Sequence, residues 1–570
     1  MNSLNRFRIK CGMTIFLYFI FHFLFLNPVQ AYNPDLPNNK FGIHFALPNM
    51  DDLPKTKELI NSNGGDWGYI TLVMQENDRD KNKWQEVFDR MREFHLIPII
   101  RLATIPQGAQ WRRPMVDDAD TWVDFLDSLH WVIKNRYVIL FNEPNHGNEW
   151  GGSVDADDYA QVALEFSKKL KEKNPDFFIM LAGLDSSAPS SNPNFEDEEV
   201  FLRKILNSEF SILNFVDGLA SHSYPNPGFS GSAYDTGRRS IRGYEWELNL
   251  LRQLGVKDLP VFITETGWQR GDENIIADNF KTAFSTVWLP DSRVVAVTPF
   301  VFDYQGEPFL NFSWKKYQSA DFYPQYYSVQ FLPKVRGIPE QIEKGEISFD
   351  FPGELVTQSS YRFNVKLKNL GQAVWDKDFG YQLSIVGEDT KYLEYFSSDL
   401  KRVIPFEEAE VDFYIKTSDL LGKGRVKIIL SKYGGSVVDG GTWNFETFPL
   451  PNLNFNASLF PKFNSAGEDF ELQIFNDREE IVLKKKGIKV TDGKGVITEV
   501  QNVALGRKYR IVLLKPYYLP RQVLLTFQKG TNELKFERML PLDFNPDGKL
   551  DIQDIGRLFT QPERFTLLFP

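Results

Sequence analysis

Short apolar runs alternate with amphipathic stretches between Lys40 and Lys334. Each run lacks polar alternation, as expected for a buried parallel strand. The runs are 41–45, 67–74, 97–102, 137–141, 177–181, 216–220, 261–264 and 294–300. Helically spaced apolar residues separate them, so eight strand–helix alternations over about 295 residues predict a (β/α)8 TIM barrel. A doubly wound open sheet is the alternative, which the absence of a glycine-rich phosphate loop after the first run disfavours.

Beyond Ile338 the pattern changes to a period of two. Phe363, Val365 and Leu367 alternate with polar residues, which indicates strands with one face in water. A second region of this kind follows the proline-containing joint at 449–451. We therefore predict a multidomain protein in which the barrel precedes two all-β sandwich domains and a short EF-hand-like tail. The expected boundaries are 32–337 for the barrel, 338–449 for an Ig-like β-sandwich, 450–541 for a second β-sandwich and 542–570 for the tail.

The N-terminus has the organisation of a secretory signal peptide. Arg6, Arg8 and Lys10 precede an apolar run at 13–26, and small residues stand before an expected cleavage point after Ala31. The run has about 14 residues, fewer than the roughly 20 that a membrane-spanning helix needs. We predict that 1–31 is removed and that the mature protein is secreted, with an uncleaved anchor as the alternative. The only cysteine, Cys11, lies in this segment, so the mature chain would contain no disulfide.

Charge and aromatic content narrow the classes of partner. The net charge is −11, which disfavours nucleic acid because phosphate binding needs a basic face. No run after the signal peptide is long and apolar enough to predict a membrane partner. Aromatic residues make up 15% of the chain. Such residues either fill cores or form platforms for sugar rings, whose C–H faces are apolar.

Two glutamates end apolar runs abruptly. Glu143 follows the fourth run by one residue, and Glu265 comes directly after the seventh run. The active sites of barrels lie at the C-terminal ends of strands. A half-buried carboxylate is costly unless it is paired or hydrogen-bonded, so two of them need a reason. Glycoside hydrolysis uses one carboxyl group as a proton donor and a second facing the anomeric carbon. An ordinary salt bridge would explain either glutamate alone.

Residues 141–145 (FNEPN) and 263–268 (ITETGW) resemble the strand-four and strand-seven signatures of the clan A glycoside hydrolases, which are retaining enzymes built on a (β/α)8 barrel. The resemblance covers the barrel region. It implies that Glu143 is the acid/base, that Glu265 is the nucleophile and that Asn142 binds the sugar 2-hydroxyl. His222 and Tyr224, after the sixth run, are similar to a family motif in which the tyrosine donates to the nucleophile and the histidine lines the sugar site. The resemblance to this clan implies that catalysis needs no cofactor.

Further candidate substrate contacts lie near predicted strand ends. They are His44, Arg101, Trp150, Trp268 and Tyr304. The arginine could orient the nucleophile or pair with another acid, and the two tryptophans could stack on sugar rings. Many clan A enzymes place a tryptophan after strand eight, whereas this chain has none there, so the floor of the reacting sugar's site is not predicted. Glu76 and Glu149 are additional acids near strand ends. Either could bind the substrate, or it could have no role in the site.

The C-terminal tail contains a twelve-residue pattern of calcium ligands. Its ligand positions are Asp543, Asn545, Asp547, Lys549 (through its carbonyl), Asp551 and Asp554, with Gly548 at the sharp turn. The pattern resembles the first half of a dockerin module, which implies a structural Ca²⁺ and a cohesin-like partner. A dockerin has two such loops and only one is present before Pro570. A calcium-stiffened tail, a truncated module and an Asp-rich surface turn without metal are the alternatives.

Together these features predict a secreted retaining β-glycosidase that hydrolyses O-glycosidic bonds of an oligosaccharide or polysaccharide by double displacement. Two other functions stay open. One is a non-catalytic carbohydrate-binding or adhesive surface protein on a glycosidase-like barrel. The other is a transglycosylase, which uses the same covalent intermediate with a sugar as acceptor.

Overall fold

The computed structural model describes residues 33–207, 212–461 and 466–562. The predicted signal peptide lies outside these residues. The chain divides into two compact units, the first ending at Ile342 and the second beginning at Glu343. Within the described ranges, every helix is too short or too polar to cross a bilayer.

Eight parallel strands form the centre of the first unit. They are β1 (Gly42–Phe45), β2 (Gly68–Gln75), β3 (Leu96–Ala103), β4 (Arg136–Leu140), β5 (Phe177–Leu181), β6 (Leu219–His222), β7 (Val261–Glu265) and β8 (Val294–Val297), with a small hairpin, Pro106–Gln107 and Gln110–Trp111, after β3. β1 to β5 pair in chain order in one parallel sheet, and β6 to β8 do so in another. Single parallel bridges join Met180 to Gly218 and Phe41 to Val297. The two sheets therefore meet at both edges, and the strands follow one another around a ring.

Helices separate most of these strands. They are α1 (Leu53–Ile60), α2 (Lys81–Phe94), α3 (Ala119–Ser128), α4 (Ala156–Lys173), α5 (Glu198–Asn207), α6 (Gly243–Gln253), α7 (Glu273–Thr282), which continues as the π-helix Ala283–Trp288, and α8 (Pro324–Gln330). Aspartates begin several of them. Asp80, Asp155 and Asp272 accept hydrogen bonds from backbone N–H groups of the first turns of α2, α4 and α7, which satisfies donors that have no partner within the helix.

Aromatic rings from four strands fill one end of the ring of strands. Phe262 of β7 lies 5.1 Å from Tyr137, 5.3 Å from Phe178 and 6.4 Å from Tyr69, measured between ring centroids. All four are buried. Each precedes the C-terminal end of its strand, so the packed aromatic layer leaves that end for polar side chains.

The sixth strand lies further along the chain than predicted. It covers Leu219–His222 rather than 216–220. Before it, the carboxylate of Asp217 accepts a hydrogen bond from the Ile179 N–H at 2.8 Å and pairs with Lys171 at 2.7 Å. A side chain therefore replaces part of the backbone pairing there, and the regular strand begins two residues later. The shift places His222 inside β6 instead of after it.

The second unit begins with two four-stranded sheets. Its strands are β9 (Gly345–Phe349), β10 (Glu354–Val356), β11 (Ser360–Asn369), β12 (Tyr381–Val386), β13 (Leu393–Ser397), β14 (Glu408–Thr417), β15 (Gly422–Lys432) and β16 (Gly435–Phe448). The sheet orders are β9-β11-β14-β13 and β10-β16-β15-β12. Apolar residues of both sheets, such as Val365, Phe413 and Ile428, share one buried core, which fits the alternating pattern of the sequence.

The remaining strands belong to one eight-stranded sheet, in the region for which a second β-sandwich was predicted. They are β17 (Asn452–Asn456), β18 (Gly467–Phe475), β19 (Ile481–Thr491), β20 (Lys494–Ile497), β21 (Lys508–Lys515), β22 (Tyr517–Thr526), β23 (Thr531–Lys535) and β24 (Pro541–Asp543), in the order β23-β17-β20-β19-β18-β21-β22-β24. A separate apolar core covers them. The helix α9 (Ile552–Thr560) follows.

We predict that Phe262→Ala destabilises the first unit by about 3–5 kcal/mol, because it removes the ring that the three other aromatic residues contact. Urea unfolding of the full chain, followed by tryptophan fluorescence, measures the change. Tyr234→Ala is the control, since this side chain is 75% exposed and its removal should change the free energy of unfolding by less than about 0.5 kcal/mol. Equal midpoints for the two variants would contradict the packing role of Phe262.

Candidate active site

Glu265, the last residue of β7, lies at the centre of a polar cluster. Its side chain is buried, and one carboxylate oxygen accepts a hydrogen bond from the Tyr224 hydroxyl at 3.0 Å. The other oxygen accepts from Arg101 Nη1 at 2.5 Å and lies 3.5 Å from His44 Nε2. β1, β3 and β7, together with the segment after β6, thus bring four predicted site residues together. The same Arg101 nitrogen donates to the amide oxygen of Asn142 at 2.5 Å.

Glu143 faces Glu265 from the segment after β4. Its backbone has a φ of 33°, in the left-handed region that non-glycine residues rarely adopt. The Glu143 N–H donates to the Gly183 carbonyl at 3.2 Å, which helps to hold this conformation. One carboxylate oxygen of Glu143 lies within 4.8 Å of one of Glu265. Although the two glutamates lie 122 positions apart in the sequence, their carboxylates face a common space.

His222 links the two carboxylates. Its Nδ1 lies 2.8 Å from Glu143 Oε1 and 3.8 Å from Glu265 Oε2. A Cβ atom at position 183 would overlap the imidazole ring, so only glycine at this position lets the histidine approach. Gly183 follows β5 and has no ionisable group, and for this reason sequence reasoning gave it no role.

The charges around Glu265 keep it ionised. Burial alone would raise the pKa of Glu265, but the charges of His222 and Arg101 and the hydrogen bond from the Tyr224 hydroxyl outweigh burial, and the pKa is lowered to about 2. Burial lowers the pKa of His44 to about 3, so His44 is neutral at physiological pH. The negative charge on Glu265 consequently depends on Arg101, His222 and Tyr224.

The imidazole of His222 is the group most affected by both glutamates. Burial by itself lowers the pKa of His222, yet the charges of Glu265 and Glu143 and the hydrogen bond with Glu143 raise it above its ordinary value. Burial and the neighbouring Glu265 also raise the pKa of Tyr224 well above its ordinary value. Tyr224 therefore stays a hydrogen-bond donor throughout the neutral range.

A second acidic group borders Glu143. Burial, together with the charge of Glu143, raises the pKa of Glu149 to about 7. His146 Nδ1 lies 3.9 Å from Glu143 Oε2, and its Nε2 lies 2.9 Å from Asp185 Oδ2. Sequence reasoning missed His146 and Asp185. The sequence offered one indication of Asp185. It lies just after β5, and sequence reasoning had assigned no candidate site residue to the end of that strand.

Two of the predicted aromatic contacts are wrong. Trp150 is fully buried, and its Nε1 donates to Asp158 at 2.8 Å. Trp268 is 4% exposed and donates to the Gly231 carbonyl at 2.7 Å. Both rings pack inside the protein, since nearby helices cover them, so neither is available for sugar stacking. Glu76, the other uncertain acid, pairs with Arg112 at 2.6 Å.

Tyr304 lies beside the candidate site in a small aromatic cluster. Tyr224, Phe300 and Val301 form its buried part, and Tyr304, Phe229 and Phe312 pack against them. The ring of Phe300 lies 5.0 Å from that of His44. Phe300 thus lies after β8 and beside His44, in the segment where sequence reasoning found no tryptophan.

Among the described residues, Glu143, His222 and Glu265 are the one group of three or more His, Cys, Asp or Glu side chains whose possible ligand atoms all lie within 4.8 Å of one another. Arg101 contacts Glu265 at 2.5 Å. A guanidinium at this distance already compensates the charge of the carboxylate, which disfavours a divalent cation in the same place.

The residues of the predicted calcium loop lie together after β24. One oxygen of Asp543 accepts from the Gly548 N–H at 3.1 Å, while the other is buried and has no hydrogen-bond partner in the described part of the chain. The side chains of Asn545 and Asp547 are 2.7 Å apart, and the Lys549 N–H donates to Asp547 at 2.9 Å. Carboxylate and carbonyl oxygens are the ligand types that Ca²⁺ prefers in proteins.

The other end of the loop is organised differently. Asp551 caps α9, and the Asp554 carboxylate accepts from the N–H groups of Phe544 at 2.8 Å and Asp551 at 3.0 Å. Asp554 therefore serves as a backbone cap at the position where the pattern predicts a metal ligand.

No protein-family model matches the chain, and no curated protein sequence matches it significantly. Several solved structures of glycoside hydrolases are similar to it. An endo-β-1,4-glucanase from Xanthomonas axonopodis pv. citri is 13% identical with a TM-score of 0.38, covering 51% of this chain and 98% of its own. A β-xylosidase from Caulobacter crescentus is 11% identical with a TM-score of 0.39, covering 84% and 97%. A β-mannanase from Thermomonospora fusca is 12% identical with a TM-score of 0.34, covering 51% and 87%. TM-scores below 0.5 leave the function to be argued from the site itself.

We predict that Glu149→Gln stabilises the protein above pH 7 and leaves its stability unchanged below pH 4.5. The folded-state pKa of Glu149, about 7, exceeds the ordinary value of 4.5, so the folded protein loses stability as pH rises between these values. Melting temperatures at pH 4 and pH 8 measure the difference. Glu86→Gln, at an exposed position of α2, is the control. Equal effects of Glu149→Gln at both pH values would contradict the raised pKa.

Proposed function

We propose that the first unit is a (β/α)8 barrel that hydrolyses β-glycosidic bonds with retention of anomeric configuration. The observation that carries the proposal is the approach of Glu143 and Glu265 to within 4.8 Å at the C-terminal ends of parallel strands. Retaining glycosidases hold their carboxyl groups roughly 5–5.5 Å apart, whereas inverting enzymes need about 6.5–9.5 Å to place a water molecule between them. The observed separation favours direct attack by one carboxylate.

In the first step, Glu265 attacks the anomeric carbon while Glu143 gives its proton to the leaving oxygen. The glycosidic C–O bond breaks, and a glycosyl ester forms on Glu265. Arg101 and Tyr224 favour this division of roles because they keep Glu265 ionised and orient its carboxylate oxygens. Asn142, held by Arg101, is placed to bind the sugar hydroxyl next to the reacting carbon.

In the second step, water attacks the same carbon and Glu143 takes its proton. Glu143 gave up its proton in the first step, so its carboxylate can now act as the general base. His222 contacts Glu143 in both steps and couples the two carboxyl groups. Transfer to a sugar instead of water would use the same residues and would differ in the product alone.

Two further features of the chain belong to this proposal. The signal-peptide pattern before residue 32 supports secretion of the enzyme. The unpartnered, buried oxygen of Asp543, with Asn545 and Asp547 beside it, supports a structural Ca²⁺ in the loop before α9. In that role the ion would link the end of β24 to α9 without taking part in catalysis.

We predict that Glu265→Gln abolishes turnover of aryl β-glycosides, because the amide cannot form the ester.

We expect Glu143→Ala to slow the hydrolysis of substrates with poor leaving groups by about 10²–10⁴-fold. Azide should restore the second step for substrates with good leaving groups, since it attacks the ester without a base, and the product should be a β-glycosyl azide. Glu86→Gln should leave both reactions unchanged. Wild-type turnover by Glu265→Gln on every glycoside that is cleaved would refute the proposed mechanism, and product analysis with added acceptors separates hydrolysis from transglycosylation.

We predict that the full chain, freed of metal with a chelator, binds one Ca²⁺ and that Asp543→Ala together with Asp547→Ala removes this binding. Isothermal titration calorimetry with CaCl₂ measures it, and MgCl₂ tests the preference for the larger ion. Asp492→Ala, at an exposed turn in the same unit, is the matched control. Identical heats from the double variant and the control would rule out this site.

A further inference from the structure

Three flat side chains form a row across the outer face of the β9-β11-β14-β13 sheet. Phe396 of β13 lies directly opposite Tyr414 of β14, which lies opposite Arg362 of β11. The rings of Phe396 and Tyr414 are stacked, with centroids 4.5 Å apart and planes 9° apart. The guanidinium of Arg362 lies 5.9 Å from the centre of the tyrosine ring. The row is therefore a continuous stack that runs from the middle of the sheet to its edge.

The outer end of this row is open. β13 is the edge strand of its sheet, so Phe396 has a stacking partner on one side, and its side chain is 63% exposed. A large aromatic ring on the water-facing side of a strand adds nothing to the sandwich core, which lies on the other face. An exposed aromatic surface of this kind indicates a contact with another molecule.

The charges beside the row cancel one another. Arg362 pairs with Asp412 at 2.7 Å and with Glu480 at 2.6 Å. In the neighbouring cross-strand pair, Lys416 lies 3.3 Å from Glu394. Each of these cations already has an acidic partner, so this face does not favour the binding of a nucleic acid or another polyanion. It combines an apolar platform with many hydrogen-bonding groups and little net charge.

A cleft continues the row on its other side. It has a volume of about 890 Å³, and Arg362, Asn364 and Tyr414 line it together with Asn476 and Arg478 from the following domain of the same unit. Its size falls in the range of small-molecule sites, about 300–1,000 Å³. Its lining combines these polar side chains with apolar ones such as Phe349, so a ligand reaching from Phe396 into the cleft would meet both hydrogen-bonding groups and apolar surface.

We propose that this face is a carbohydrate-binding site, separate from the cluster around Glu265, that stacks a sugar ring on the open face of Phe396. A pyranose ring matches the surface because its C–H face is apolar and its hydroxyl groups form a polar rim. The ligand is a neutral polysaccharide chain, and this choice rests on the proposed glycosidase function. The site would keep the enzyme on its substrate and raise the local concentration of cleavable bonds.

Affinity electrophoresis of the full chain tests the site. Glu265→Gln serves as the parent protein so that the polysaccharide is not degraded, and the gels contain hydroxyethyl cellulose, arabinoxylan or galactomannan. We expect at least one of these polymers to retard the parent. Phe396→Ala should weaken that binding by roughly tenfold, as expected for the loss of an aromatic stacking contact, whereas Phe396→Trp should keep it. Tyr433→Ala is the matched control, because Tyr433 is 72% exposed in the same unit but lies outside the row.

Equal retardation of Phe396→Ala and Tyr433→Ala in every gel would overturn the proposal, and so would the absence of any retardation of the parent. Either result would leave the row as a surface for another class of partner, such as a protein. In a background that keeps Glu265, the Phe396→Ala and Tyr433→Ala variants should each hydrolyse aryl β-glycosides at the wild-type rate. Failure of the glycosidase proposal would appear as no aryl glycoside hydrolysis at all, a result that electrophoresis does not depend on.

Discussion

Two carboxylates held within 4.8 Å of each other repel strongly unless compensating groups surround them, and the rest of the candidate site follows from this requirement. Arg101, His222 and Tyr224 all point to this pair, and together they keep the pKa of Glu265 low despite its burial. The two glutamates consequently differ in environment although they are chemically alike. In the proposed mechanism, this difference lets one carboxyl group act as a nucleophile while the other transfers a proton.

The surrounding fold keeps this arrangement rigid. Aromatic rings around Phe262 fill one end of the ring of strands, so the polar groups can occupy the other end without opening the core to water. The close approach of His222 depends on Gly183, and the unusual backbone of Glu143 depends partly on the Gly183 carbonyl. One glycine after β5 thus affects both partners of the central hydrogen bond.

Apolar runs predicted the parallel strands well because a strand that is buried on both faces consists almost wholly of apolar residues. The beginning of β6 was misplaced because the Asp217 carboxylate, instead of a backbone carbonyl, accepts from the Ile179 N–H there, a contact that no hydrophobic pattern reveals. Trp150 and Trp268 were misjudged for a related reason. Both follow a strand closely, yet Trp150 packs against Tyr159 of α4 and Trp268 packs against Phe280 of α7, which leaves both rings buried.

The sequence by itself determined the alternation of elements, the change from period 3.6 to period 2 near residue 338 and the positions of two glutamates at strand ends, because these are local properties of neighbouring residues. Tertiary structure alone decided which charges surround each glutamate, that Asp185 pairs with His146, and that Phe396, Tyr414 and Arg362 align across three strands. Such relations depend on strand register and on packing between residues far apart in the chain, and these are set only when the whole core forms.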